Sequence, residues 1–134
     1  MQQVMRILAA CAPAVEVGKV PQGILRVIPI IGGRFEGEKL RGTVLNVGAD
    51  WNISHPNGNA HVYARYLLKT EDGAVIQIEN EGVLSEDSGG FVTTPKFAAD
   101  ASGPYAWLNS GVYAGTLKAS ESPEYSVEIT VFQL

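Results

Sequence analysis

The sequence has few of the features that usually identify a function. It contains one cysteine, Cys11, which excludes an intramolecular disulfide and a cysteine-rich metal site. It contains no G-x-S-x-G nucleophile elbow, no glycine-rich phosphate loop leading into a helix, and no run close to the roughly 20 apolar residues of a transmembrane helix. Nucleophilic hydrolysis, nucleotide binding and a membrane-spanning role therefore have no support in the sequence.

Positive charge is also scarce. Lys and Arg number 10 against 14 Asp and Glu, and the net charge of -4 argues against a nucleic-acid partner, which needs a clustered basic surface. His55 and His61 have no acidic residue between them, so we expect no metal site, and no motif indicates a cofactor. The lone cysteine fits a reducing, cytoplasmic location.

The overall balance of residues is that of a globular protein. Hydrophobic residues make up 46% of the chain and charged residues 18%, which is far from the profile of a disordered segment. A length of 134 residues lies in the range of roughly 100 to 200 that is usual for one domain. We therefore expect a single domain over residues 1–134.

The pattern along the chain is that of β-strands. Glycine and proline recur at short intervals, and the runs between them are rich in Val, Ile, Tyr, Phe and Thr. Turn residues predict surface loops at 52–59 and 85–90. The predicted strands cover residues 4–12, 23–31, 40–46, 60–70, 74–81, 91–93, 105–117 and 125–134. The prediction is an all-β fold, and we favour a single closed antiparallel barrel of about eight strands, because closure removes exposed strand edges.

The clearest local prediction is a hairpin whose three-residue loop, 71–73, ends in Gly73. Placing Thr70 opposite Ala74 fixes the register of the two strands. The face predicted to be the core then pairs Leu68 with Ile76, Tyr66 with Ile78 and Ala64 with Asn80. The other face pairs Lys69 with Val75, Leu67 with Gln77 and Arg65 with Glu79.

Asp50 and Trp51 follow a glycine-rich run and are the first candidates for chemistry. A carboxylate beside an indole could have its pKa raised by desolvation and could then act as an acid or a base. An aspartate after Gly-Ala is also a common turn or cap residue that accepts backbone hydrogen bonds. Both interpretations are compatible with the sequence.

Arg65 and Glu79 face each other in the predicted hairpin. The guanidinium of Arg65 could hold a ligand carbonyl or carboxylate. A surface ion pair between the two strands would give the same pattern, so the sequence leaves the exposure of Arg65 open.

A third group lies in the predicted strand 105–117. Tyr105, Trp107, Asn109 and Tyr113 are spaced by even numbers of residues, so on a strand they would share one face. Aromatic rings with a single amide would suit an apolar pocket with one orienting hydrogen bond. They would equally suit a filled barrel core in which the polar atoms are satisfied locally.

Several segments in a fixed order carry a resemblance to a known family. They are IPI and GGRFEG, then LRGTVLNVGADW, ARYLLKTEDGAVIQIENEG, TPKF and PYAWLNSGVYAG, spread between residues 5 and 134. Together they resemble the family catalogued as domain of unknown function 3237, also called uncharacterised protein family 0311. The chain departs from the family pattern Pro-Gly-Gly-Ala-Asp-Trp at 46–51, where it has NVGADW.

The resemblance implies a small, roughly lipocalin-like β-barrel whose interior can hold a small molecule. It marks as polar or aromatic site positions Asp50, Trp51, Arg65, Tyr66, Asn80, Trp107 and Asn109. It also implies an activity, because some fungal relatives act as cofactor-free cyclases, including hetero-Diels-Alder catalysts.

Three functions follow from these observations. The leading hypothesis is a cofactor-independent enzyme that promotes cyclisation, isomerisation or dehydration of an apolar metabolite. Its catalytic residues would be Asp50 and Arg65, and its ligand-binding residues would be Trp51, Tyr66, Asn80, Tyr105, Trp107, Asn109 and Tyr113. The alternatives are a ligand-binding or carrier barrel without turnover, and a structural module with a filled interior that forms homo-oligomers.

Overall fold

The computed structural model describes residues 1–84 and 91–134, and these form β-strands with one short 3-10 helix. The helix is Ala106–Ser110. The strands are β1 (Gln2–Cys11), β2 (Val15–Val20), β3 (Gly23–Glu36), β4 (Arg41–Ser54), β5 (Ala60–Thr70), β6 (Val75–Leu84), β7 (Phe91–Ala98), β8 (Tyr113–Ala119) and β9 (Val127–Gln133).

Eight of these strands close into an antiparallel barrel. Their order around the barrel is β1-β9-β8-β7-β6-β5-β4-β3, and β3 pairs with β1 to complete the circle. The ninth strand, β2, pairs with the first part of β3 beyond the end of β1. The prediction of an all-β, closed antiparallel barrel of about eight strands is confirmed, and the additional strand β2 was not predicted.

The hairpin of β5 and β6 has the predicted register. Ala64 lies opposite Asn80, Tyr66 opposite Ile78 and Leu68 opposite Ile76. Gly73 has a φ of 90°, the left-handed conformation that the three-residue loop needs. The face with Leu68 and Ile76 is buried, so the hairpin presents its predicted core face to the barrel interior.

β3 and β4 are longer than predicted, because the glycine-rich segment between them bends strands instead of ending them. Gly33 and Gly48 have φ values of 132° and 122°, and each lies where the pairing register shifts. A Cβ at Gly48 would lie 2.2 Å from the carbonyl oxygen of Arg65. Only glycine therefore allows β4 to bulge at this point and continue through Asp50 to Ser54.

Two other predictions about elements were wrong. Residues 105–117 are not one strand, because Pro104 and Gly111 bound a 3-10 helix that precedes β8. The predicted loop 52–59 is shorter, since β4 continues to Ser54 and the turn begins at His55. The predicted loop 85–90 lies outside the described residues.

The interior has a filled half and an open half. In the filled half, Leu108 of the 3-10 helix is buried against the barrel core. The core side chains of that half include Met5, Phe35, Leu40, Leu68, Ile76 and Val131. In the described parts of the chain, no helix has the length and apolar character needed to cross a bilayer.

Candidate functional site

The open half of the barrel contains a cavity of about 440 Å³. It is enclosed by the inner faces of strands all around the barrel, at the end where a turn joins β4 to β5, whereas the 3-10 helix lies toward the opposite end. Pockets that hold small molecules typically have volumes of about 300–1,000 Å³. Part of the space exists because three positions of the lining, Ala9, Ala60 and Ala64, carry only a methyl group.

The cavity has one polar wall and one apolar wall. Because side chains alternate along a strand, every second residue of β3 to β6 points inward. This brings together the side chains of the polar wall, which are Arg26, Asp50, Asn52, Tyr66 and Asn80. The opposite wall, formed by β1, β8 and β9, presents Ala9, Leu117, Val127 and Ile129.

Asp50 supplies the carboxyl group of the polar wall. Its Oδ1 atom accepts a hydrogen bond of 2.9 Å from the backbone N–H of Tyr63. Burial raises the pKa of the Asp50 carboxyl, and the hydrogen bonds from Tyr63 and Asn52 and the charges of His61 and Arg26 partly oppose this rise. A carboxyl whose pKa is raised by burial holds a proton more readily than an exposed one, which is the property that a group transferring protons needs.

Three other side chains of the polar wall carry unpaired polar atoms. The Oδ1 atoms of Asn52 and Asn80 and the hydroxyl of Tyr66 are buried and have no hydrogen-bond partner among residues 1–84 and 91–134. Thr93, which does not line the cavity, has a fourth such atom. Burial also raises the pKa of Tyr66, so its phenol stays neutral and able to donate. Such atoms cost stability unless something bonds to them.

The structure places Asp50, Tyr66 and Asn80 in the cavity but not the other two candidates of these strands. Trp51 follows Asp50 directly and therefore points outward, where 42% of it is exposed. Arg65 is likewise on the outer face and donates to the Gln77 side chain at 3.2 and 3.3 Å. Arg65 is therefore exposed on the outer surface of the barrel.

The four candidates of residues 105–113 lie at the closed end. The expectation that they share one strand face is wrong, because Trp107 and Asn109 lie in the 3-10 helix and Tyr105 precedes it, so that only Tyr113 lies in a strand. The Tyr105 hydroxyl donates to Asp72 at 2.9 Å, and the Asn109 side chain bonds twice to the backbone of Ala99. The Trp107 ring lies under the Lys39 ammonium at 5.2 Å.

The polar atom of Tyr113, like those of Tyr105 and Asn109, is hydrogen-bonded within the protein. Its hydroxyl donates to the Leu108 carbonyl oxygen at 3.1 Å, and its ring meets that of Phe97 edge to face at 5.0 Å. The closed end therefore matches the filled-core interpretation, and it lies away from the cavity.

Three residues of the cavity were missed by the sequence interpretation. Asn52 could have been found, since it stands two residues after Asp50 and must share its face once β4 is known to continue. Arg26 lies opposite Asn52 in the pairing of β3 with β4, which no local pattern shows. Cys11 is half-buried, and burial raises the pKa of its thiol, so it is not an activated nucleophile.

Over residues 1–84 and 91–134, no three His, Cys, Asp or Glu side chains come close enough together to hold a metal ion. Among the described residues, the polar groups of the lining are the Asp50 carboxyl, the Tyr66 phenol, the amides of Asn52 and Asn80, the exposed guanidinium of Arg26 at the mouth, and the smaller side chains of Cys11, Ser54 and Ser126.

Comparison with known sequences gives one family for the whole chain. The model of the family DUF3237, protein of unknown function, matches residues 1–134. A UPF0311 protein of Rhodopseudomonas palustris is 40% identical over 80 residues, which are 60% of this chain and 52% of that relative. The chain thus spans about half the length of the curated relatives it matches.

Solved structures share the fold over nearly the full length. A beta-barrel like protein from Acinetobacter baumannii superposes with a TM-score of 0.89 at 31% identity, covering 98% of this chain and 93% of that one. A Penicillium herquei protein described as an enzyme gives a TM-score of 0.78 at 21% identity, with 99% and 92% covered. At that identity the second likeness shows the fold alone.

Proposed function

The chain belongs to the DUF3237 family, and from its cavity we propose that it is a cofactor-independent enzyme that converts an apolar small molecule. The reaction class is a cyclisation, including the hetero-Diels-Alder type, an isomerisation or a dehydration. A protein of the same fold from Penicillium herquei is described as an enzyme, which supports a catalytic use of such a barrel.

The observation that carries the proposal is the position of Asp50. It is the carboxyl group of a cavity whose opposite wall is apolar, and the Tyr63 N–H holds one of its oxygens in place. A carboxylate with only a structural role would destabilise the fold less at the surface, where water solvates its charge. Its place in the cavity wall therefore favours a chemical role.

The isomerisation and the dehydration need two groups, whereas a concerted hetero-Diels-Alder cyclisation, which transfers no proton, needs only the first of them. One group polarises a carbonyl of the substrate, and the neutral hydroxyl of Tyr66 or the guanidinium of Arg26 can donate the hydrogen bond that does so. The other moves a proton. In an isomerisation, the Asp50 carboxylate would take a proton from the carbon beside the carbonyl and return it to another carbon of the same substrate. Proton transfer of this kind contributes about 10²–10⁴-fold to a rate.

The direct test is turnover of a panel of polyenes, quinone methides and other reactive carbonyl compounds, with product analysis by mass spectrometry. We expect the Asp50→Asn variant to lose about 100-fold or more in turnover while its far-ultraviolet circular dichroism is unchanged. Asp100→Asn is the matched control, because Asp100 is exposed and outside the cavity lining. Equal turnover by the protein and its Asp50→Asn variant would refute the catalytic role.

The two arginines can be separated in the same assay. Arg65 lies on the outer face, so we expect Arg65→Ala to leave turnover unchanged, whereas Arg26→Ala should lower it because Arg26 lines the cavity. The reverse result would return the carbonyl-binding role to Arg65.

A carrier without turnover is the second candidate, and the largely apolar lining favours it. Such a protein would bind apolar molecules and release them unchanged. Binding of naphthalene, measured by equilibrium dialysis, addresses both candidates, since Ala64→Phe would fill the centre of the cavity and should abolish it. Binding without product across the substrate panel would favour the carrier.

A further inference from the structure

The polar wall of the cavity holds more unpaired hydrogen-bonding capacity than the proposed reaction uses. Asp50 and a hydrogen bond to one carbonyl suffice for proton transfer. The unpaired atoms of Asn52 and Asn80 remain, as does the Tyr66 hydroxyl when Arg26 polarises the carbonyl, and all three side chains are more than nine-tenths buried. They lie on the same wall, whereas the polar side chain that the described residues place on the facing side, Ser126, already accepts a hydrogen bond of 3.0 Å from the Cys11 N–H.

The strand pairing fixes how these groups are arranged. Asp50 lies opposite Ala64, and Ala64 lies opposite Asn80, so Asp50 and Asn80 are two strands apart with only a methyl group between them. Two strand spacings are about 10 Å at the backbone. Tyr66 follows one step deeper on the middle strand, and Asn52 one step nearer the mouth. The polar groups therefore form an arc along one edge of the cavity.

The chemistry of the arc selects a type of group on the ligand. An amide can turn about its terminal torsion at little cost and present either its oxygen or its nitrogen. The Tyr66 hydroxyl both donates and accepts. A ligand hydroxyl also does both, so it can satisfy either atom of an amide as well as the phenol, whereas an ether or a ketone can only accept.

The charges of the site favour a neutral ligand. An ionised Asp50 would repel a carboxylate placed against the same wall, and the one basic group of the lining, Arg26, lies at the exposed mouth. Along the facing wall the ligand needs only an apolar surface.

We propose that the ligand of this cavity is a neutral, largely apolar molecule with hydroxyl groups along one edge, and that Asn52, Tyr66 and Asn80 recognise that edge. This inference rests on the proposed small-molecule function and names the class of molecule that the cavity takes.

Four probes test it by equilibrium dialysis: naphthoresorcinol, its dimethyl ether, naphthalene and naphthoic acid. Two new hydrogen bonds correspond to about 30-fold in affinity, so naphthoresorcinol should bind about 30-fold more tightly than its dimethyl ether. Asn80→Leu and Tyr66→Phe should each reduce this ratio to about fivefold, while their affinity for naphthalene stays within about twofold of the parent. Asn46→Leu, at an exposed position of β4, is the matched control and should keep the full ratio.

The outcomes separate the inference from the function on which it rests. If naphthalene binds but naphthoresorcinol binds no better than its dimethyl ether, the hydroxyl recognition is refuted and the small-molecule cavity stands. Tighter binding of naphthoic acid than of naphthoresorcinol would refute the neutral class. An equal loss of preference in Asn46→Leu and Asn80→Leu would also overturn the inference. If none of the four probes binds, the proposed function and this inference both fail.

Discussion

Asn80 provides a stability test of the idea that the cavity wall is shaped for a ligand. It is 2% exposed, and its Oδ1 has no partner among the residues that the structure describes. Replacing it by leucine keeps a side chain of similar size but removes the unpaired polar group. If the amide serves a ligand and not the fold, the Asn80→Leu protein should be more stable than its parent in the absence of ligand.

The expected size of the effect follows from the cost of burying an unpaired polar group, which is about 1–3 kcal/mol. The strain that extra volume causes in a packed core should be small here, because the side chain borders a cavity and has room to adjust. For a chain of this length, 1 kcal/mol corresponds to roughly 3 °C in Tm. We therefore expect Tm to rise by about 3–9 °C.

The assay is thermal and urea unfolding of the protein, Asn80→Leu and Asn46→Leu in ligand-free buffer. The surface variant should differ from the parent by no more than about 0.5 kcal/mol. Equal or lower stability of Asn80→Leu would refute the reasoning, because it would show that the amide is paired and holds the fold together.

Three further predictions concern other parts of the barrel. Folding raises the pKa of Asp50, so stability should fall as pH rises from about 4 through the folded pKa, and Asp50→Asn should be the more stable protein at pH 7 but not at pH 3. Urea unfolding at the two pH values tests this, and an advantage at pH 3 alone would contradict it. Arg6 lowers the pKa of Glu128, so Glu128→Gln should lower the free energy of unfolding by less than about 1 kcal/mol at pH 7 and should leave it unchanged at pH 2. A loss of stability that persists at pH 2 would contradict the prediction. Gly48→Ala should lower the free energy of unfolding by about 2–4 kcal/mol, measured by thermal unfolding. Gly73→Ala should lower it by about 1–2 kcal/mol, because Gly73 also has a positive φ but has open space where a Cβ would lie. Equal losses would refute the contact with the Arg65 carbonyl oxygen.

The β5–β6 hairpin shows how far local sequence reaches. Its register depends on three loop residues and on the alternation of side chains, both of which can be read within about 20 residues of chain. That was sufficient to place Tyr66 and Asn80 on the inner face together. The opposite face of the same strand carries Arg65, and once the inner face is known, its outward position follows.

The segment from Gly103 to Tyr113 shows where alternation misleads. Even spacing of aromatic residues suggested one strand face, but Pro104 and Gly111 permit a short helix whose Leu108 fills the end of the barrel. A strand and a 3-10 helix over this segment would differ in the contacts that they make with strands distant in the sequence. Periodicity within the segment carries no information about those contacts.

What the sequence by itself determined is the strand-rich fold, the hairpin register and the family. Those features depend on residues near one another in the chain, or on an ordered set of motifs. The cavity was decided by the tertiary structure, because β3 must pair with both β4 and β1 before Arg26 and Cys11 meet Asp50. The bulge before Gly48 decided which residue faces Asp50: Gly48 lies four positions after Val44 in β4, but their partners Tyr66 and Leu68 lie only two positions apart in β5, and this shift brings Asp50 opposite Ala64.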